Sequence, residues 1–134
     1  EKAISEIHDR NLIIRTSSFF GPWDRHNFVY LLLRAMQEGQ PFKAASDITI
    51  SPTYVPDLVD ASLDLLIDGE TGIFHLTNGG HLTWAELARL AVDMSGHKRG
   101  EILATPSSEL GYVARRPTFS ALSSERTKIM PHHE

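Results

Sequence analysis

The chain has 134 residues, a hydrophobic content of 41% and a formal net charge of −4, from 13 Lys+Arg against 17 Asp+Glu. This length fits one domain or a part of one, and the acidic balance argues against a nucleic-acid-binding domain, which usually has a basic face. The chain has no cysteine, which excludes disulfides, thiolate metal ligands and a thiol nucleophile, and no apolar run approaches the ~18 residues of a membrane-spanning helix.

The first predicted elements are a helix and a strand. Residues 1–10 predict the end of an amphipathic helix, with Asn11 closing it in the left-handed conformation. Residues 12–14 form a β-branched run typical of a strand buried on both faces. The strand is predicted to run into residues 15–20 and to break at Gly21-Pro22, and ligands of α/β proteins bind at such strand ends.

The middle of the chain predicts two helices separated by extended segments. Residues 27–38 are apolar nearly all round, which predicts a buried helix, and the glycine that follows ends it. Residues 42–45 predict a short strand, and residues 47–54 a loop with some strand character. Pro56 suits the first turn of the second helix, which is predicted to end near residues 68–69.

The remaining elements are a strand, a capped helix, a second strand and a helical turn. The strand covers residues 72–78 and places His75 on the face opposite Phe74, where a packed or hydrogen-bonded histidine is more plausible than a ligand. Thr83-Trp84-Ala85-Glu86 is a capping box that opens a helix ended by Gly96. The last two elements are predicted over residues 102–104 and 108–112, and the chain is expected to be irregular from residue 115 onwards.

Hydrolytic and metal-binding motifs are missing from the sequence. It contains no GxSxG, HExxH or GxxxxGK[ST] pattern. The seven histidines do not cluster, and the adjacent His132 and His133 at the end of the chain are weak grounds for a metal site. We therefore predict no metal ion.

Candidate binding residues lie after the first strand and in a late loop. Asn27, with the amides that follow it, could hold a diphosphate at a helix start, or could be a plain N-cap. Trp23 is either a stacking platform for a base or sugar, or core filler. Arg115 and Arg116 could fork onto a phosphate, or could be a solvated pair.

Five segments combine into a recognisable pattern. In order they are Arg15-Thr16-Ser17-Ser18-Phe19-Phe20-Gly21, His26-Asn27-Phe28, Ser51-Pro52-Thr53-Tyr54-Val55-Pro56-Asp57-Leu58, Gly72-Ile73-Phe74-His75-Leu76-Thr77-Asn78-Gly79-Gly80 and Ala114-Arg115-Arg116-Pro117. In this order and spacing, the chain resembles the C-terminal part of the dTDP-4-dehydrorhamnose reductase family of extended short-chain dehydrogenases/reductases.

The resemblance implies an α/β fold that is a fragment of an NAD(P)-binding Rossmann-type protein. Residues 1–20 would be one helix and strand of the Rossmann sheet, and residues 21–134 a small mixed α/β substrate-binding lobe. The family reduces the 4-keto group of dTDP-4-dehydro-L-rhamnose with NADPH or NADH. Its Gly-rich loop and Tyr-x-x-x-Lys motif do not occur in this sequence, so we expect the N-terminal dinucleotide-binding domain to be missing. Alone, the chain is expected to be inactive and to bind no cofactor.

The resemblance also assigns binding residues. Thr16, Ser17, Ser18 and Phe19 would border the nicotinamide end of the cofactor. The residues that would contact the dTDP-sugar are Asn27, Phe28, Tyr54, Arg115 and Arg116. Trp23 joins these substrate-binding candidates as the stacking platform named above, and not through the resemblance.

Two departures from the family pattern leave other functions open. The family commonly has Trp where this chain has Ser18, and Gln and Gly in the loop where it has Ile48 and Ile50. The alternatives are a non-catalytic regulatory or interaction module of the same fold, or a related nucleotide-sugar epimerase or dehydratase. We also expect a cytoplasmic protein, since a cysteine-free chain fits a reducing compartment, and a possible homodimer that covers the apolar flanks of residues 12–14.

Overall fold

The fold is an assembly of short helices and strands, seen in a computed structural model that describes residues 1–97 and 99–124. The helices within those residues are α1 (Lys2–Ile7), α2 (Phe28–Gln37), α3 (Val55–Ile67) and α4 (Trp84–Ser95), with a 3-10 helix at Ser107–Glu109. The strands are β1 (Leu12–Arg15), β2 (Phe19–Phe20), β3 (Phe42–Ala45), β4 (Thr49–Ile50), β5 (Thr53–Tyr54), β6 (Gly72–His75), β7 (Leu82–Thr83), β8 (Ile102–Thr105) and β9 (Phe119–Ser120).

The first layer of the fold is α3 packed on the parallel pair β1–β6. The pair runs in register from Leu12 opposite Gly72 to Arg15 opposite His75. Pro56 occupies the first turn of α3, where its missing N–H costs nothing, and α3 then presents its apolar stripe to the strands. The buried core between them is built from Ala61, Leu65, Phe74 and Leu76.

The second layer packs α2 and α4 on the parallel pair β3–β8. Its buried core is formed by Leu32, Met36, Ala44, Ala85, Ala88 and Val92. The small alanines allow α4 to approach the strands closely. The predicted capping box is present, because the Thr83 hydroxyl accepts from the Glu86 N–H at 3.2 Å while a Glu86 carboxylate oxygen accepts from the Thr83 N–H at 2.7 Å. Gly96 ends α4 with φ of 70°, as predicted.

Between these layers, β4 and β5 hold distant parts of the chain together. β4 pairs with β7 in antiparallel and with β9 in parallel orientation, while β5 pairs in parallel with β2. A third buried cluster, Ala45, Ile48, Ile50 and Leu87, lies beside them. The two-residue strands therefore bring the segment after β1 and the segment after residue 115 to the same region.

Several predictions from the sequence need correction. Asn11 does not cap α1 in the left-handed region: α1 ends at Ile7, His8 continues as extended backbone, and among the described non-glycine residues only Ser18 has a positive φ. α2 is not buried all round, since Tyr30 and Leu31 are 39% and 43% exposed. Its buried residues, Leu32 and Met36, are four positions apart and so share one face of the helix, and α2 packs against α4 and β3.

Strand limits also differ from the prediction, as in β6, which ends at His75 instead of residue 78, whereas the limits of α2, α3 and α4 agree within two residues. The predicted strand over residues 15–20 is interrupted, because β1 ends at Arg15 and β2 begins at Phe19. Of residues 12–14, only the central isoleucine is buried and its two neighbours are half-buried. The tail predicted as irregular contains β9, and His132 and His133 lie outside the described residues.

No helix among residues 1–97 and 99–124 has both the length and the hydrophobicity needed to cross a bilayer.

Candidate functional site

The main cavity lies where β3, β4, the start of α2 and the loop after the 3-10 helix meet. It encloses about 500 Å³, within the range of about 300–1,000 Å³ typical of ligand sites. Most of its wall is apolar or aromatic, with a few polar groups. The lining residues are Ser18, Phe28, Phe42, Lys43, Ala44, Ala45, Ile48, Ile50, Trp84, Leu110, Tyr112, Arg116, Pro117 and Ser120.

The charged residues that line this cavity are both cationic. Lys43 comes from β3 and Arg116 from the late loop, and among residues 1–97 and 99–124 no carboxylate lines the cavity. No ion pair to either cation is found among residues 1–97 and 99–124. The Arg116 guanidinium instead lies 5.7 Å from the centre of the Tyr112 ring, a cation–π geometry. The cavity is therefore suited to an anionic ligand.

Aromatic rings form the apolar side of the cavity. Phe28, at the first turn of α2, packs edge-on against Phe42 with 5.3 Å between ring centres, and its ring is tilted against that of Trp84 at 4.6 Å. Such pairs fix ring orientation by offset or edge contacts. The cluster gives the cavity a rigid wall against which a planar ligand group can pack.

Ser18 provides a polar edge with an unusual backbone. Its φ is 42°, in the left-handed region that non-glycine residues rarely adopt. The conformation is held by β5, because the Thr53 N–H donates to the Ser18 carbonyl at 3.0 Å. The Ser18 and Ser17 hydroxyls lie 3.3 Å apart, and the Thr16 hydroxyl donates to the Thr53 hydroxyl at 3.3 Å.

Asn27 acts as the N-cap of α2. Its side-chain oxygen accepts from the Tyr30 N–H at 2.9 Å, and its amide nitrogen donates to the carbonyls of Gly21 and Asp24 at 3.1 and 2.6 Å. The side chain is buried and does not line the main cavity. Both ends of the amide are therefore used within the protein.

The remaining candidates lie beside the main cavity rather than around it. Phe19 and Trp23, the latter 76% exposed, line a separate cavity of about 240 Å³. Tyr54 packs its ring 5.4 Å from Phe20, which lines the same second cavity. Arg115 is exposed and lines neither cavity. Of the ten candidates, the structure brings Ser18, Phe28 and Arg116 together around one space.

A carboxylate tethers the loop that carries Leu110, Tyr112 and Arg116. Asp47 accepts from the Ser107 N–H at 2.8 Å and from its hydroxyl at 2.9 Å. These bonds favour the ionised form, so the Ser107 hydroxyl, followed by its N–H, lowers the pKa of Asp47 below its ordinary value. The start of this loop is thus fixed to the β3–β4 connection.

Another arginine lies at the end of the β1–β6 pair, and it is paired with a carboxylate. The Arg15 guanidinium donates to both carboxylate oxygens of Glu1 at 2.9 and 2.6 Å. This hydrogen bonding lowers the pKa of Glu1 and raises that of Arg15. His75 lies 3.2 Å from Arg15 and 3.0 Å from the Ser123 carbonyl, so the prediction of a hydrogen-bonded histidine is confirmed.

Sequence reasoning missed several residues of the main cavity. In the sequence, Lys43 is only part of a predicted strand and Trp84 only follows an N-cap, while Tyr112 and Ser120 belong to no motif. Lys43 did give one signal, since a lone lysine in a short apolar strand must point away from the core. Among the described residues, no group of three or more His, Asp or Glu side chains is placed to hold a metal ion.

Comparison with known proteins places the chain in a family. The family described as RmlD substrate binding domain matches residues 1–133. The spore coat polysaccharide biosynthesis protein SpsK of Bacillus subtilis is 36% identical over 90% of this chain and 43% of its own length. A dTDP-4-keto-6-deoxy-D-glucose reductase of Streptomyces niveus is 29% identical over 93% and 43%. The chain thus spans less than half of these relatives.

Solved structures agree with this placement. The structure of dTDP-4-dehydrorhamnose reductase from Bacillus anthracis in complex with NADP has a TM-score of 0.86 and 29% identity, over 92% of this chain and 43% of that one. A dTDP-4-dehydrorhamnose reductase from Yersinia enterocolitica has a TM-score of 0.85 and 26% identity, over 92% and 44%. The predicted fold class, part of a Rossmann-type extended short-chain dehydrogenase/reductase, is confirmed. The chain belongs to the RmlD substrate binding domain family.

Proposed function

We propose that this member of the RmlD substrate binding domain family is the sugar-nucleotide-binding part of a dTDP-4-dehydrorhamnose reductase. The reaction would be reduction of the 4-keto group of dTDP-4-dehydro-L-rhamnose. The residues that carry hydride and proton transfer would come from the part of the reductase that this chain does not span. Alone, the chain would bind the nucleotide sugar without reducing it.

One observation carries the proposal: within the part of the chain that the structure describes, the main cavity is lined by two cations, by no carboxylate and by an aromatic wall. A diphosphate carries negative charge that Lys43 and Arg116 can match, and Arg presents a planar fork suited to phosphate oxygens. The ring cluster at Phe28 supplies the flat apolar contact that a base or a deoxysugar offers. A neutral sugar without its nucleotide would leave both cations unmatched.

The other candidates keep supporting roles in the proposal. Trp23 is exposed beside Phe19, so it is available to stack on a ligand that extends past Ser18. Asn27 would act by fixing the start of α2 rather than by contact, and Tyr54 by bordering the second cavity. Arg115 would assist Arg116 from outside the main cavity.

The nicotinamide cofactor of the proposed reductase fits the segment after β1. Thr16, Ser17, Ser18 and Phe19 follow the carboxyl end of a parallel strand, where ligands of α/β folds bind. They offer hydroxyls that could meet a carboxamide and an exposed aromatic ring that could meet the nicotinamide edge. NADPH or NADH supplies the hydride when bound. This segment would border only that end of the cofactor.

We also propose a cytoplasmic protein in which the upstream dinucleotide-binding portion packs against this chain. A homodimer would cover the flanks of residues 12–14. A strictly monomeric sedimentation profile would contradict the dimer but would leave the proposal of a dTDP-sugar ligand unaffected.

Binding of dTDP to the chain tests the main proposal. We expect calorimetry to show binding of dTDP by the wild type and a loss of about 10- to 150-fold in Arg116→Ala, the range for a hydrogen bond to a charged group. Lys43→Ala should weaken dTDP binding as well. Thymidine carries no diphosphate, so its weaker affinity should be the same in wild type and both variants.

Arg115→Ala is the matched control, because it removes the same charge one residue away from the cavity wall. It should lose less affinity than Arg116→Ala. A wild-type chain that does not bind dTDP would refute the proposed function. Equal losses at residues 115 and 116 would refute the placement of the phosphate in the main cavity.

A further inference from the structure

The segment Ser51-Pro52-Thr53 joins β4 to β5 and carries two hydroxyls that face the interior. Both Ser51 and Thr53 are 0% exposed. Neither residue lines the main cavity. Each hydroxyl instead bonds to a part of the chain that is distant in sequence, and the two partners are different.

Thr53 holds the segment that leads into Ser18. Its hydroxyl donates to the Ser17 carbonyl and accepts from the Thr16 hydroxyl, while its N–H donates to the Ser18 carbonyl. Two consecutive carbonyls are thus bound by one residue. A left-handed φ is unfavourable for serine, so these bonds compensate for the conformation that places Ser18 at the cavity edge.

Ser51 holds the segment that follows Arg116. Its hydroxyl accepts from the Leu122 N–H at 3.1 Å and lies within donor reach of the carbonyls of Gly80 and Leu122, at 3.0 and 3.3 Å. The hydroxyl has one hydrogen, so it serves one of these carbonyls at a time. The bonds to Leu122 extend the β4–β9 pairing, in which Ile50 lies opposite Ser120.

We propose that Ser51 and Thr53 are positioning residues that together set the distance between the two polar edges of the main cavity. Thr53 fixes the edge formed by Ser18. Ser51 fixes the edge formed by Ser120 and by the preceding loop that carries Arg116. Because Pro52 stiffens the link between them, the two edges are held by one short segment. The ligand consequence rests on the proposed function, but the geometry does not.

The test uses the absence of cysteine in the chain. A single cysteine introduced by Ser18→Cys or Ser120→Cys reports the accessibility of one edge through its rate of labelling by a thiol reagent. Each probe is combined with Thr53→Val or Ser51→Ala. Thr53→Val should speed labelling at position 18 by about tenfold and leave position 120 within about twofold, and Ser51→Ala should do the reverse.

Controls separate positioning from a general loss of stability. Thr105→Val removes another buried threonine hydroxyl, which donates within β8 to the Leu103 carbonyl, and should change neither labelling rate. Thr53→Ser keeps the hydroxyl, so a cysteine probe in this variant should be labelled at the same rate as in the chain that carries the probe alone. This comparison still tests the role of the hydroxyl if Thr53→Val does not fold. Equal acceleration at both probes, no acceleration, or a Thr53→Ser rate as fast as that of Thr53→Val would overturn the proposal.

Titration with dTDP completes the experiment and keeps the two proposals apart. In chains without a cysteine probe, Thr53→Val and Ser51→Ala should each weaken dTDP binding by about tenfold. Thr53→Ser and Thr105→Val should keep the wild-type affinity. Unchanged affinity in folded Thr53→Val would overturn the claim that the edges matter for the ligand. If the wild type binds no dTDP, the proposed function fails while the labelling pattern still decides the positioning role.

Discussion

Replacing Asn78 by alanine should destabilise the fold more than the replacement of a turn residue usually does. Asn78 is 9% exposed. Its side-chain oxygen accepts from the Tyr54 N–H at 2.7 Å, and its amide nitrogen donates to the Asp57 carboxylate at 2.8 Å. It therefore joins the turn after β6 to the start of α3.

The magnitude follows from the two bonds that alanine cannot make. A neutral hydrogen bond contributes about 0.5–1.5 kcal/mol and one to a charged group about 1.5–3 kcal/mol. Their sum predicts that Asn78→Ala lowers the free energy of unfolding by about 2–4.5 kcal/mol. Asn78→Asp can still accept from the Tyr54 N–H but places a second carboxylate beside Asp57, so it should also be less stable than the wild type.

Urea denaturation followed by circular dichroism measures this change, with an unchanged m value as the sign that both states keep their compactness. Asn11→Ala is the control, since Asn11 makes a local bond to the His8 carbonyl, and we expect it to lose at most about 1 kcal/mol. A loss in Asn78→Ala no larger than that in Asn11→Ala would refute the reasoning.

Three further outcomes follow from packing, capping and charge. Leu32→Ala, at a fully buried position, should cost about 2–5 kcal/mol in urea denaturation, whereas Leu31→Ala on the open side of α2 should cost far less; equal losses would contradict one-sided burial. Thr83→Ala should lower the free energy of unfolding by about 1 kcal/mol because it removes the N-cap of α4; an unchanged free energy of unfolding would contradict the capping box. Because the pKa of Asp47 is lowered by its bonds to Ser107, its contribution to stability is present above the ordinary carboxyl range and disappears as the pH falls through the lowered value. Asp47→Asn should therefore be less stable than the wild type at pH 7 and equally stable in acid, and a gap independent of pH in the denaturation series would argue against this.

The elements that could be predicted from the sequence are those fixed by neighbouring residues. The capping box at Thr83, the glycine stop at Gly96 and the apolar stripe of α3 each depend on residues within a few positions, and all are present. The burial of α2 could not be read the same way. An apolar surface shows what a helix is able to bury, not how much of it other elements cover. In α2, Leu32 and Met36 are buried while Tyr30 and Leu31 stay exposed.

The candidate site was harder to predict because its parts meet through long-range pairing. Several strands near the site are only two residues long and depend on pairing with a partner strand, namely β2, β5, β7 and β9. Such short strands have no local periodicity from which they could be predicted. The contact between Ser51 and Leu122 spans 71 positions. Lys43 was missed for the same reason, since a single lysine in a strand gains meaning only when Arg116 faces the same space.

The segments that carried the family resemblance divide into two kinds once the structure is considered. The segments at residues 15–21, 26–28 and 114–117 bring Ser18, Phe28 and Arg116 to the cavity. The segments at residues 51–58 and 72–80 instead hold the chain together, through the hydroxyls of residues 51 and 53 and the amide of residue 78. Polar residues in those two segments are therefore expected to tolerate replacement only where the same hydrogen bonds are kept, whatever the sugar that the cavity receives.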